Sequence, residues 1–141
     1  MRALLIISLL SISSLSYAGN YICAKDGNLL NIQTGRSLKE FPTQSSCQYT
    51  TENAHEGFYC TNSGEMKKLN SRFYSVKADK LKSISGLSCT EILQNAKGAN
   101  YCDITGGIRS LNSLRVVNQI STREKCLKVL DLSVSISSSE E

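Results

Sequence analysis

Six cysteines are the residues of this chain whose chemistry follows from spacing alone: Cys23, Cys47, Cys60, Cys89, Cys102 and Cys126. There is no Cys-x-x-Cys pair and only one histidine, so they make a poor metal site and a good disulfide set. The intervals between first cysteines are 37 and 42 residues, and those between second cysteines are 42 and 37. One arrangement satisfies all four: three equal units, with five extra residues in the middle one. The simplest pairing then joins Cys23 to Cys47, Cys60 to Cys89, and Cys102 to Cys126. Each bond would close a loop worth about 3–4 kcal/mol in the chain-entropy model. Bonds between units remain open on sequence alone.

The chain offers little for catalysis. His55 lies in the polar stretch Glu52-Asn-Ala-His-Glu56, with no Gly-x-Ser-x-Gly nucleophile motif near it. Asp26, Asp79 and Asp103 could in principle pair as general acid and base, but Asp26 and Asp103 stand in turns beside cysteines, where aspartate serves the turn. Gly106-Gly107 is a hairpin-type turn rather than a phosphate loop. The expectation is a protein that is not an enzyme and carries no cofactor and no metal.

Two groups could bind a ligand. Lys67, Lys68, Arg72, Lys77, Lys80 and Lys82 crowd the middle unit against Asp79 alone. Their plain role is a solvated face; their functional role would be contact with an anionic envelope polymer or an acidic protein, weakened by salt. Tyr21, Tyr59 and Tyr101 precede the first cysteines. They could pack on the disulfides or form a threefold surface for stacking on sugar rings. A net charge of +4 over 141 residues, with no aromatics alternating with the lysines, gives no reason to expect nucleic acid.

The elements that would position these residues recur. Counting from each first cysteine, a glycine stands at four (Gly27, Gly64, Gly106), an apolar residue at six (Leu29, Met66, Ile108) and another at nine (Ile32, Leu69, Leu111). β-Branched and aromatic runs bounded by glycine and asparagine read as short strands, for example residues 20–25, 29–33 and 36–41. The apolar positions are three apart, which calls for a bulge or a strand end. Ser45-x-x-Gln48, Ser88-x-x-Glu91 and Ser121-x-x-Glu124 match capping boxes and predict helices over residues 45–54, 90–96 and 123–130. The extra residues fall near Lys77–Gly86, read as an expanded loop. The fold class is α+β: three disulfide-braced repeats of about 40 residues, each of short antiparallel strands followed by a short helix. The alternative is an all-β, pseudo-threefold, trefoil-like body.

The aromatic-Cys-x3-Gly start loosely resembles that of small periplasmic lysozyme inhibitors over some ten residues per unit. The triplication departs from that family, and no residue role follows from the resemblance.

Residues 1–18 carry Arg2, an apolar run from Ala3 to Leu15, and the small residues of Ser16-Tyr17-Ala18, the pattern of a cleaved secretory signal. Residues 19–132 would be one domain with units at 19–56, 57–98 and 99–132, followed by a flexible serine- and glutamate-rich tail, 133–141. Signal and cysteines together predict a secreted or periplasmic chain with no membrane span after cleavage. Such a chain suits a binding module for a glycan, an envelope component or a protein partner. The alternative is an inhibitor of a secreted protease or lysozyme, with Lys77–Gly86 as its wedge.

Overall fold

Strand-forming residues before and after each glycine turn fold back on one another. The computed structural model describes residues 20–140, and the signal expected at residues 1–18 lies outside them. Their nine strands are β1 (Tyr21–Cys23), β2 (Asn28–Asn31), β3 (Ser37–Glu40), β4 (Phe58–Cys60), β5 (Met66–Lys68), β6 (Ser75–Val76), β7 (Asn100–Cys102), β8 (Gly107–Ser110) and β9 (Val116–Gln119), counted among the described residues. They form three three-stranded antiparallel sheets, ordered β1-β2-β3, β4-β5-β6 and β7-β8-β9. Among the described residues four helices are α1 (Gln44–Asn53), α2 (Ala78–Ser85), α3 (Cys89–Asn95) and α4 (Arg123–Glu140). This is an α+β, disulfide-rich fold, and its helices remove the all-β alternative. Among the described residues no helix is long and apolar enough to cross a membrane.

The same hydrogen bonds close each first turn. Gly27, Gly64 and Gly106 donate their N–H groups to the carbonyls of Ala24, Thr61 and Asp103. All three glycines have positive φ, from +84° to +97°. At Gly27 a Cβ would also strike the Phe41 carbonyl, and at Gly106 the Thr122 backbone at 2.6 Å. Conformation and space both demand glycine there. The apolar residue at nine follows the second strand, its N–H held by a carbonyl ahead of the first: Ile32 by Asn20, Leu69 by Gly57, Leu111 by Ala99. Bulges interrupt both full registers, between Leu29 and Leu30 and between Ile108 and Arg109.

The disulfides are Cys23–Cys47, Cys60–Cys89 and Cys102–Cys126, each tying a first strand to a helix. Ser88 and Glu91 make the expected capping box on α3. The other two starts differ from the expectation. α1 is capped by Thr43 with Ser46, not by Ser45, and on α4 the Thr122 hydroxyl, not Ser121, accepts the Lys125 N–H at 3.2 Å. Cys47 and Cys126 sit one turn inside their helices, donating to the Thr43 and Thr122 carbonyls, so the cap falls four residues earlier. Helix α4 also runs past Leu130, the end expected for it, to Glu140.

Residues 78–85 are helical rather than a protruding loop. Leu81 and Ser85, one turn apart, are both buried, and Gly86 ends the helix in the left-handed region with its N–H on the Lys82 carbonyl. The lysines decorate this helix; its inward residues decide the conformation.

Two units can be distinguished: residues 20–59 with Lys68–Phe73, and Cys60–Lys67 with residues 74–140. In the first, Cys23, Leu29, Cys47 and Leu69 form the core, flanked by Tyr21, Phe41, Ala54 and Tyr59. In the second, a core of Cys102, Ile108, Cys126 and Leu130 is flanked by Ile120 and Leu127. Half-cystines sit at the centre of both, so crosslink and hydrophobic core are one structure.

Candidate functional site

The expected threefold tyrosine surface does not form. Tyr101 is 1% exposed, so its ring cannot meet a sugar. Tyr21 and Tyr59 pack against the first core instead, with Tyr59 tilted 55° to Phe41 at 6.1 Å and Lys39 Nζ 5.6 Å from its ring.

The basic residues also separate. Lys68 Nζ lies 5.2 Å from the Phe58 ring, and Arg72 Nη2 donates to the Ser37 carbonyl at 3.4 Å, all within the first unit. In the second unit, hydrogen bonds from Ser75 and Ser63, aided by the charges of Lys67 and Lys77, hold the Glu65 carboxyl below its ordinary value. Glu91 is held down by the Ser88 amide and hydroxyl, with Lys82 contributing charge. His55 flanks a tight turn, exchanging backbone hydrogen bonds with Phe58 at 2.8 and 2.9 Å. Asp26 accepts from the Asn28 amide, as a turn aspartate does.

Of the predicted cations, Lys80 lines a concave surface in the second unit. Within the second unit, α2 and the turn joining β8 to β9 border an open groove of about 610 Å³. Val76, Ile84, Leu114 and Val116 give it apolar lining, and Tyr74, Asn112 and Ser113 add polar groups. Its charged lining is Lys80, Arg109 and Arg115, with no carboxylate among the lining residues.

Behind the groove stands a buried ion pair. The Asp103 side chain is 2% exposed and accepts Arg109 Nε on Oδ2 at 2.6 Å. Its Oδ1 accepts the Thr105 hydroxyl at 2.7 Å and the amides of Thr105 and Gly107 at 2.9 and 2.8 Å. Burial alone pushes the Asp103 carboxyl up. Arg109, the Thr105 hydroxyl and the two amides outweigh it and hold the carboxyl below its ordinary range. Gly107 permits this approach, since a Cβ there would lie 2.7 Å from Asp103 Oδ2.

Arg109 also donates Nη1–H to the Leu114 carbonyl at 2.7 Å. Leu114 has φ +61°, where the corresponding turn of the first sheet uses Gly35 at +70°. A leucine in the left-handed region costs about 1–2 kcal/mol. Burial to 8% exposure and the Arg109 bond oppose that cost.

Tyr101 supplies one further polar group. Burial pushes its hydroxyl up to about 12, partly countered by Arg109. The hydroxyl makes no hydrogen bond of good geometry, although Ser85 Oγ, which donates to the Leu81 carbonyl at 2.7 Å and accepts the Leu87 N–H at 3.2 Å, stands near enough to lower it slightly. An unpaired buried hydroxyl costs about 1–3 kcal/mol. Tyr101→Phe is therefore expected to leave stability unchanged or raise it by about 1 kcal/mol in urea unfolding at pH 7. The folded-state value lies above the unfolded one, so this group's contribution is intact below the unfolded value near 10 and is lost as pH rises towards 12. Tyr101→Phe removes that alkaline component; an unaltered alkaline profile would contradict it.

Tyr74, Arg109, Leu114 and Arg115 escaped the sequence reading. The available signal was Leu114 at the position where the first unit has glycine. Compared with protein families, with curated proteins and with solved structures, the chain finds no match in any of the three.

Proposed function

We propose that this chain is a binding module of an oxidising, extracytoplasmic compartment, made of three tandem copies of one β-β-β-α unit, and that it takes an anionic glycan or envelope polymer in the groove of its second unit. The observation carrying this reading is a groove lined by the cations Lys80 and Arg115 and by Arg109, whose Asp103 partner stands behind it, with no carboxylate among the lining residues, beside apolar side chains and Tyr74. Cations on a concave, partly apolar surface attract a polyanion and offer its backbone a place to lie. Three disulfides and the signal-like residues 1–18 support the compartment. Recurring turn bonds and cysteine spacings support triplication. The inhibitor alternative took residues 77–86 as a projecting loop for its wedge, and residues 78–85 are helical instead.

Calorimetric titration with polygalacturonate, against neutral dextran, tests the reading. Binding is expected for the polyanion alone and is expected to fall steeply as salt shortens the screening length from about 30 Å at 0.01 M to about 8 Å at 0.15 M. Lys80→Gln with Arg115→Gln is expected to weaken it about tenfold while leaving the melting temperature within a few degrees, since both are surface changes. Equal affinity for dextran, or affinity unmoved by salt and by this double variant, would overturn the proposal.

A further inference from the structure

The three groove cations are not equivalent, and the difference lies in what holds each one. Arg115 is exposed, and Lys80 stands on the exposed side of α2. To grip a ligand each must surrender side-chain freedom, and a lysine ammonium acts as a point charge without directional demand. Arg109 is already fixed. Its side chain is 18% exposed, Nε is bonded to the buried Asp103 carboxylate, and Nη1 is bonded to the Leu114 carbonyl. Neither bond uses Nη2. A guanidinium anchored this way is held in one plane and keeps one N–H on Nη1 and two on Nη2 for further partners, and Arg109 lines the groove.

The strained leucine fits the same arrangement. The left-handed conformation at Leu114 accompanies the carbonyl that Arg109 grips, and locally costly geometry persists where a site over-determines it. Asp103 also neutralises one charge behind Arg109, so the groove selects by shape at Arg109 and by charge at Arg115 and Lys80.

We propose that Arg109 is the specificity-determining residue of this groove, receiving one carboxylate or phosphate group of the polyanion in a two-bond fork, with Arg115 and Lys80 serving neighbouring anionic groups as point charges. This rests on the anionic-groove reading and goes further, because it requires an oxyanion matched to a guanidinium edge.

The test uses the oxidised full-length mature chain with two probes, polygalacturonate for carboxylates and inorganic polyphosphate for phosphates. Arginine-selective NMR of the wild type reads the guanidinium directly. On adding the matching probe, the Arg109 Nη protons are expected to shift and their rotation to slow, with smaller changes at Arg115. Arg109→Lys preserves charge but removes the fork, and is expected to lower affinity at least about tenfold while the salt slope stays near that of wild type. A response to polygalacturonate alone assigns carboxylate, one to polyphosphate alone assigns phosphate, and one to both supports the shared oxyanion chemistry. If Arg109→Lys does not fold, the wild-type spectrum decides. Unshifted Arg109 signals under saturating probe, or full affinity in folded Arg109→Lys, would overturn the fork while leaving the anionic groove standing. Absence of binding to either polyanion would overturn both.

Discussion

Replacing Cys23 and Cys47 together by alanine is expected to cost about 3–5 kcal/mol and to lower the melting temperature by some 10–20 °C. The bond spans 24 residues, and closing a loop of that length removes about 3.5 kcal/mol of unfolded-chain entropy in the simplest model. Loss of packing adds to this. Both half-cystines are 0% exposed and sit with Leu29 and Leu69 at the centre of the first core. The double variant is the right comparison because a single one would leave a buried thiol free to exchange. Urea unfolding of wild type and variant under oxidising conditions measures the difference. Midpoints agreeing within about 0.5 kcal/mol would mean that the core alone carries the fold. Excess reductant applied to wild type is expected to remove more, since Cys60–Cys89 and Cys102–Cys126 would open as well.

This coincidence of crosslink and core also explains what the sequence could disclose. Cysteine intervals and Gly27, Gly64 and Gly106 report constraints internal to one short stretch, and the pairing and turns follow from them. Helix starts were less legible. Ser45-x-x-Gln48 is as good a local pattern as Thr43-x-x-Ser46, and only the position of Cys47 inside the helix chooses between them. Helix α2 was hidden differently. Its lysines make the segment look like a solvated loop, whereas Leu81, Ile84 and Ser85, at helical spacing, hold the structural information. The groove was least legible, because it joins α2 to a turn some thirty residues later in the chain. No local pattern reports which side chains meet across that distance.

Asp103 is where fold and groove meet, and Asp103→Ala is expected to destabilise the protein by about 3–5 kcal/mol at pH 7. The substitution strips Arg109 Nε, the Thr105 hydroxyl and two amides of their acceptor at once. Asp103→Asn separates the causes, since an amide oxygen can still take the Thr105 and Gly107 donors but leaves the guanidinium without its counter-charge. The folded-state carboxyl is held below its unfolded value, so the pair's stabilisation is fully present above about pH 4 and is lost as pH falls through the lower folded value. The gap between wild type and Asp103→Asn is therefore expected to be widest near neutral pH and to narrow in acid. A gap that stays constant from pH 7 to pH 2 would show that charge contributes nothing and that only acceptor geometry matters. A double-mutant cycle with Arg109→Gln completes the case: strong coupling between the two positions in stability, and in affinity for the polyanion, is expected if the carboxylate acts on the ligand by holding the guanidinium. Additive losses would mean that Asp103 organises only the turn at Thr105 and Gly107, and that Arg109 finds its place without it.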